Sequence, residues 1–169
     1  MPYRAARVLP PSTRRVVPAG AAACGRLSER CSKEPVMPVT PKKVVLVGHC
    51  GPDSSYLRMS VAKAGRDIQV LSADDDDELK RVLDGGADLL LLNRQLDYGF
   101  DEDEGVALIR KLRAAYPHVK TMLVSNYPDA QAAAVAEGAL PGFGKRELGT
   151  PKVAELIRVA LDAPAAAKA

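Results

Sequence analysis

The residue types in this chain that could do chemistry gather just after short apolar runs. His49 and Cys50 stand side by side after Val44-Val45-Leu46-Val47. An imidazole beside a thiol could bind a soft metal or carry redox chemistry. No second pair stands at ligand spacing, however, so no metal is expected. Gly48-x-x-Gly51 is a short glycine-bearing loop where a nucleotide could sit, but it lacks the full three-glycine phosphate fingerprint. Asn93 follows Leu89–Leu92, Ser125-Asn126 follow Thr121–Val124, and Lys145 follows Gly142–Gly144. Asp74–Asp77 with Glu78 would suit a cation; the pattern reads better as a solvated helix start, where acids complement the dipole. Asp97 to Glu104 interleaves acids with Tyr98 and Phe100 and reads as a partner-binding loop. Asp97 or Asp101 could also fold back beside Asn93 as a carboxylate. No nucleophile stands beside an evident base, so no enzyme is expected.

The elements that must position these residues follow from patterning. Val44–Val47, Ile68–Leu71, Leu89–Leu92, Thr121–Val124 and Gly142–Gly144 read as short buried strands. Between them lie helical stripes. Asp53 or Ser54 can cap a helix carrying Leu57, Val61 and Ala64, and Asp75 with Glu78 opens one carrying Leu79, Val82 and Leu83. Asp101 with Glu104 repeats that pattern before Val106, Ile109, Leu112 and Tyr116. Pro128 to Glu137 is Ala-rich and stopped by Gly138, and Thr150-Pro151 opens a last helix carrying Val153, Leu156, Ile157, Ala160 and Leu161. Apolar strands alternating with helices imply a parallel sheet covered on both faces. Right-handed crossovers then predict a flavodoxin-like, doubly wound α/β fold of five strands in the order 2-1-3-4-5. A site should lie at the carboxyl ends of its strands, where Gly48-His49-Cys50, Asn93, Ser125-Asn126 and Lys145 stand.

Composition sets the outer limits. The 169 residues are 47% hydrophobic and only 4% aromatic, with no Trp, so the core must be aliphatic. Runs such as Leu89–Leu92 fall far short of the ~20 apolar residues of a membrane-spanning helix. Three unevenly spaced cysteines, Cys24, Cys31 and Cys50, make no disulfide framework and suit a reduced cytoplasmic compartment. Residues 1–40 carry seven basic side chains against two acids and leave 17 basic and 19 acidic residues for the remainder. Binding of nucleic acid by the folded part is therefore not expected. The first forty residues, Pro-rich and without periodicity, are expected to form a disordered basic leader, with a domain over 41–162 and a disordered tail over 163–169. The leader is Arg-rich like a transit peptide. As an export signal its apolar stretch Val16–Ala23 is broken by Pro18 and Gly20, so it is read as an extension without structural role.

Over about residues 42–162 the chain resembles the receiver domain of bacterial two-component response regulators. The resemblance is carried by Gly138-Ala139-Leu140-Pro141-Gly142-Phe143-Gly144-Lys145, similar to the family's Gly-Ala-x-x-(Tyr/Phe)-x-x-Lys, and by Met122-Leu123-Val124-Ser125. It implies that Ser125 and Lys145 stand where the family binds phosphoryl oxygens. It also implies that Asn93 takes the place of the phosphoacceptor aspartate, and Gly48-His49 that of the acidic pair for Mg²⁺. An amide is a poor nucleophile, glycine offers no ligand, and histidine prefers softer metals. The aromatic switch position reads Gly142, with Phe143 one place late, and Arg146 stands where Pro is usual.

A degenerate receiver is therefore expected: a signalling module that acts through protein contacts, without conventional aspartate phosphorylation and with neither cofactor nor Mg²⁺. Its partner surface, by the same resemblance, is formed by the fourth helix, fifth strand and last helix, around residues 130–160. Asn93 is expected to hydrogen-bond Lys145 and lock one conformation, with Asp53, Asp97 and Asp101 as substitute acids. No effector domain follows Ala163, so DNA binding by the chain itself is not expected. The alternatives are a single-domain regulator phosphorylated at an unusual acid, and a nucleotide- or small-molecule-binding domain using the Gly48–Ser54 loop.

Overall fold

The computed structural model describes residues 40–97 and 99–164. The expected leader, apart from Thr40, lies outside the described residues, as do residues 165–169 of the expected tail. The elements run β1 (Lys42–Val47), α1 (Gly51–Ala64), β2 (Ile68–Ala73), α2 (Asp76–Asp84), β3 (Leu89–Asn93), α3 (Gly105–Ala115), β4 (Lys120–Val124), α4 (Pro128–Ala136), β5 (Leu140–Phe143) and α5 (Pro151–Asp162), with a 3₁₀ turn at Lys145–Glu147. All strand pairs are parallel, and the sheet order is β2-β1-β3-β4-β5, as predicted.

The strands are continuously apolar because both faces of the sheet are covered. Alternate residues point to opposite sides, so Val45, Val47, Leu90, Leu92 and Leu123 pack with the buried side chains of α2, α3 and α4. Val44, Leu46, Leu89, Leu91, Met122 and Val124 pack instead with Leu57 and Val61 of α1 and Val153 and Ile157 of α5. Each such aliphatic side chain contributes about 1.5–3 kcal/mol when fully buried.

Several boundaries differ from the sequence expectation: β1 begins at Lys42 and β2 runs on to Ala73, and three further differences bear on the site. Helix α1 starts at Gly51 with Cys50 as its N-cap, not at Asp53 or Ser54. Pro52 sits in the first turn, where its missing N–H costs nothing, and the Ser54 hydroxyl bonds to the His49 carbonyl. Helix α3 begins after Glu104 without a side-chain cap, since the Asp101 carboxylate turns to Lys111. Strand β5 covers Leu140–Phe143, two residues earlier than Gly142–Gly144. It is an edge strand, where Pro141 removes no ladder hydrogen bond that a neighbour needs.

Helix α4 is held differently from the others. Its one fully buried side chain is Ala134, and Val135 faces solvent. Gln131 makes up the deficit. Its Nε2 donates to the carbonyls of Leu123, Ser125 and Phe143 at 3.0, 3.0 and 3.1 Å, joining α4 to both β4 and β5 where their register shifts. Gly142 makes this possible, because a Cβ there would collide with the Leu123 carbonyl and Gln131 Oε1.

Replacing Gln131 with Ala should therefore cost about 2 kcal/mol, as backbone carbonyls lose their donor. Gln131→Glu should cost more despite its equal size, because a carboxylate would face carbonyl oxygens. Urea midpoints at neutral pH give the order; a Glu variant as stable as wild type would contradict it.

Candidate functional site

The carboxyl ends of β1, β3, β4 and β5 bring together His49, Asn93, Ser125 and Lys145, with Asp53 arriving from the first turn of α1. Gly48 makes the turn out of β1 at φ +65°, with its N–H on the Ala73 carbonyl at 3.1 Å. A side chain there would be strained in backbone and would meet Leu96 Cδ2 at 2.6 Å.

His49 is 7% exposed, and its Nε2 lies 3.0 Å from the Leu91 carbonyl oxygen. A carbonyl only accepts, so Nε2 carries the hydrogen and Nδ1 is left as a buried acceptor without a partner. Burial drives the imidazole pKa down to about 4, against the opposing Leu91 hydrogen bond and with help from the Lys145 charge. The ring is neutral at pH 7.

Asn93 ends β3 with both amide groups engaged. Its Nδ2 donates to the Gly48 carbonyl at 2.9 Å, and its Oδ1 accepts from the Arg94 N–H at 3.0 Å. The expected Asn93–Lys145 hydrogen bond is therefore replaced. Lys145 Nζ instead meets Asp53 Oδ2 at 2.7 Å, because an ammonium gains more from a carboxylate than from a neutral amide. The hydrogen bond from Lys145 holds the Asp53 carboxyl below its usual range, against partial burial, with smaller help from the Cys50 thiol.

The other two candidate acids stand elsewhere. Leu96 and Phe100 are buried and anchor the β3–α3 loop, leaving Asp97 exposed. The Asp101 carboxylate lies 3.3 Å from Lys111 of α3, and its N–H donates to Asp76 Oδ2 at 2.7 Å. The two acidic runs thus meet each other rather than the Lys145 site. Among the described residues, no three His, Cys, Asp or Glu side chains converge as a metal cluster.

Between β3 and β4 lies a small cleft of about 170 Å³, bordered by Asn93, Arg94, Ser125, Asn126, Tyr127 and Lys145. The Arg94 guanidinium lies 4.6 Å from the Tyr127 ring centre, a cation–π contact at its edge. Ser125 is buried, and its Oγ accepts from the Tyr127 N–H at 3.1 Å. The Asn126 side chain accepts from the Arg146 N–H at 3.1 Å. This lining offers two cations, amides and two hydroxyls but no carboxylate. Sequence reasoning missed Gln131, Arg94 and Tyr127. Gln131 left one trace: it is a long polar side chain within an otherwise Ala-rich helix.

No family model and no curated protein matches the sequence. Solved structures do match. The signal receiver domain of an HD domain-containing protein from Pseudomonas fluorescens Pf-5 is 19% identical, with 73% of this chain and 88% of that one covered and a TM-score of 0.61. A CheY-like response regulator receiver domain protein from Methanospirillum hungatei JF-1 is 17% identical over 72% and 94%, with a TM-score of 0.57. The receiver domain of a DNA-binding response regulator from Colwellia psychrerythraea 34H is 15% identical over 72% and 99%, with a TM-score of 0.58. The described domain has the flavodoxin-like fold of response-regulator receiver domains, as the resemblance implied. No helix among the described residues is long and apolar enough to cross a membrane.

Two stability measurements follow from this site. Asp53→Ala and Lys145→Ala should each cost about 1 kcal/mol, and their double-mutant cycle should show coupling of about 0.5–1 kcal/mol, limited by solvent screening. Additive effects would mean the pair contributes nothing. For His49, the unfolded chain takes up a proton near pH 6.5, whereas the folded state refuses it until about pH 4. Stability should therefore fall as pH drops through that window, by up to roughly 3 kcal/mol. His49→Gln, though less stable at pH 7, should flatten this part of the profile, and an unchanged slope would contradict the assignment.

Proposed function

We propose that this domain is a receiver-like signalling module that works through protein contacts and does not run on aspartate phosphorylation. The observation that carries the reading is the state of Asn93: a neutral amide ends β3, its NH2 donating to the Gly48 carbonyl and its oxygen accepting from the Arg94 N–H. An acyl phosphate needs a carboxylate nucleophile, and the cleft beside Asn93 has none in its lining. The carboxylate nearest to Lys145, Asp53, already serves as that lysine's counter-charge.

The site also does not fit Mg²⁺. That ion takes oxygen ligands in near-octahedral geometry. Gly48 has no side chain, His49 is buried, and Asp53 is ion-paired. The role in this reading is non-enzymatic: the one carboxylate beside a thiol here, Asp53 next to Cys50, is already ion-paired with Lys145.

The partner surface in this reading is the face of α4, β5 and α5. Val135 of α4 and Val159 of α5 are exposed, apolar side chains that cost least when a protein covers them. The described domain is slightly acidic overall, which favours a protein over a nucleic-acid partner. Free thiol chemistry at Cys50 suits a reducing cytoplasm.

The full chain incubated with acetyl phosphate and Mg²⁺ should gain no phosphoryl mass in an intact-mass spectrum. Asn93→Asp should also take up little or none, because the metal ligands would still be missing. A stable phosphoryl group found on Asp53, Asp97 or Asp101 of the wild-type chain would overturn the reading.

A further inference from the structure

We propose that the cleft between α4 and β5 is a pocket for a tyrosine side chain of a partner protein, with an acidic residue next to it. This rests on the reading of the domain as a protein-contact module and names the chemistry of the contact. The cleft has a volume of about 640 Å³ and is walled mainly by carbon, with Pro128, Ala132 and Val135 on one side and Pro141 and Gly142 on the other. Glycine at 142 lets Gln131 Oε1 and the Leu123 carbonyl come up against the β5 backbone at this wall.

Two polar groups define the occupant further. Gln131 spends its Nε2 on three carbonyls, which fixes the amide plane. Its Oε1 accepts no hydrogen bond from the described residues, and Gln131 lines the cleft. An acceptor so held is ready for a donor at no further ordering cost. Arg146, at the cleft's rim, is exposed and forms no ion pair among the described residues. Its neighbours are satisfied: Lys145 pairs with Asp53, and Glu147 with Lys152. The cleft therefore calls for an apolar body, a hydrogen-bond donor at its tip and an anion beside it. Tyrosine next to aspartate or glutamate meets all three, with few rotamers to freeze.

The test uses the ¹⁵N-labelled full chain and the peptide acetyl-Gly-Tyr-Asp-Gly-amide, followed by backbone amide shifts. Shifts should centre on Ala132, Val135, Gly142 and Arg146. Phe in place of Tyr should weaken binding about three- to tenfold through the lost donor. Asn in place of Asp should weaken it about two- to fivefold, the worth of an exposed ion pair. Ala in place of Tyr should abolish it. Arg146→Gln should reduce the Asp peptide to the level of the Asn peptide, and Ala132→Glu, on an exposed helix position, should block both. Tyr and Ala peptides that behave alike, or shifts on another face, would overturn the inference. So would 4-hydroxyphenylacetate binding as tightly as the peptide, since the cleft would then be a small-molecule site. A chain that takes up no phosphoryl group from acetyl phosphate and binds no peptide sinks this inference alone. A phosphorylated chain that still binds as described sinks the phosphate-free reading alone.

Discussion

A lysine ammonium at the carboxyl ends of a parallel sheet needs a counter-charge, and Asp53 supplies it across 2.7 Å from the first turn of α1. Much of the neighbouring geometry answers to that pairing. With the ammonium neutralised from outside the sheet, β3 can end in an amide that ties its own loop to the Gly48 carbonyl. His49 can be buried as a neutral ring, because no carboxylate of β3 stands near to draw a proton onto it. The pair itself is only partly buried and worth about 1 kcal/mol. What it contributes is position, since it fixes α1, on one face of the sheet, to the turn that follows β5.

The far side of the same turn is organised by an uncharged group. Gln131 stitches β4 and β5 through their carbonyls where the strands slip out of register, and Gly142 keeps its space clear. Phe143, the aromatic side chain of this segment, is 2% exposed and packed in the core with Val124 and Ile157. Moving it outward would open a cavity costing about 3–5 kcal/mol. The site pairs its lysine internally and the aromatic ring is held in the core, while Val135 and Arg146 stay exposed on the face; the proposed module with one standing surface rests on that difference.

Much of the fold was legible in the sequence because both faces of the sheet are buried, and burial writes unbroken runs such as Leu89–Leu92. The strand order followed from crossover handedness. Local hydrogen-bond competition was not legible. Asp53 and Ser54 look alike as caps, yet Pro52 starts the helix earlier and frees Asp53 for a partner 92 residues away. Strand β5 includes Pro141, which the edge position makes harmless. Asn93 ends β3 as expected, but Lys145 turns to Asp53, because the sequence does not show which of two distant groups comes within reach of the ammonium. Gln131 shows the same limit: a single amide that holds three carbonyls has no periodic signature.

In the proposed phosphate-free reading, the described domain holds one conformation from Asn93 through Ser125 to the α4–β5 face. Relaxation-dispersion NMR tests it most directly, because it detects minor states exchanging on the microsecond-to-millisecond scale. The account predicts flat profiles for the backbone amides of Asn93, Ser125, Gly142 and Lys145. A shared exchange process linking Ser125, Gly142 and Lys145 would show a second state of this face and would contradict it.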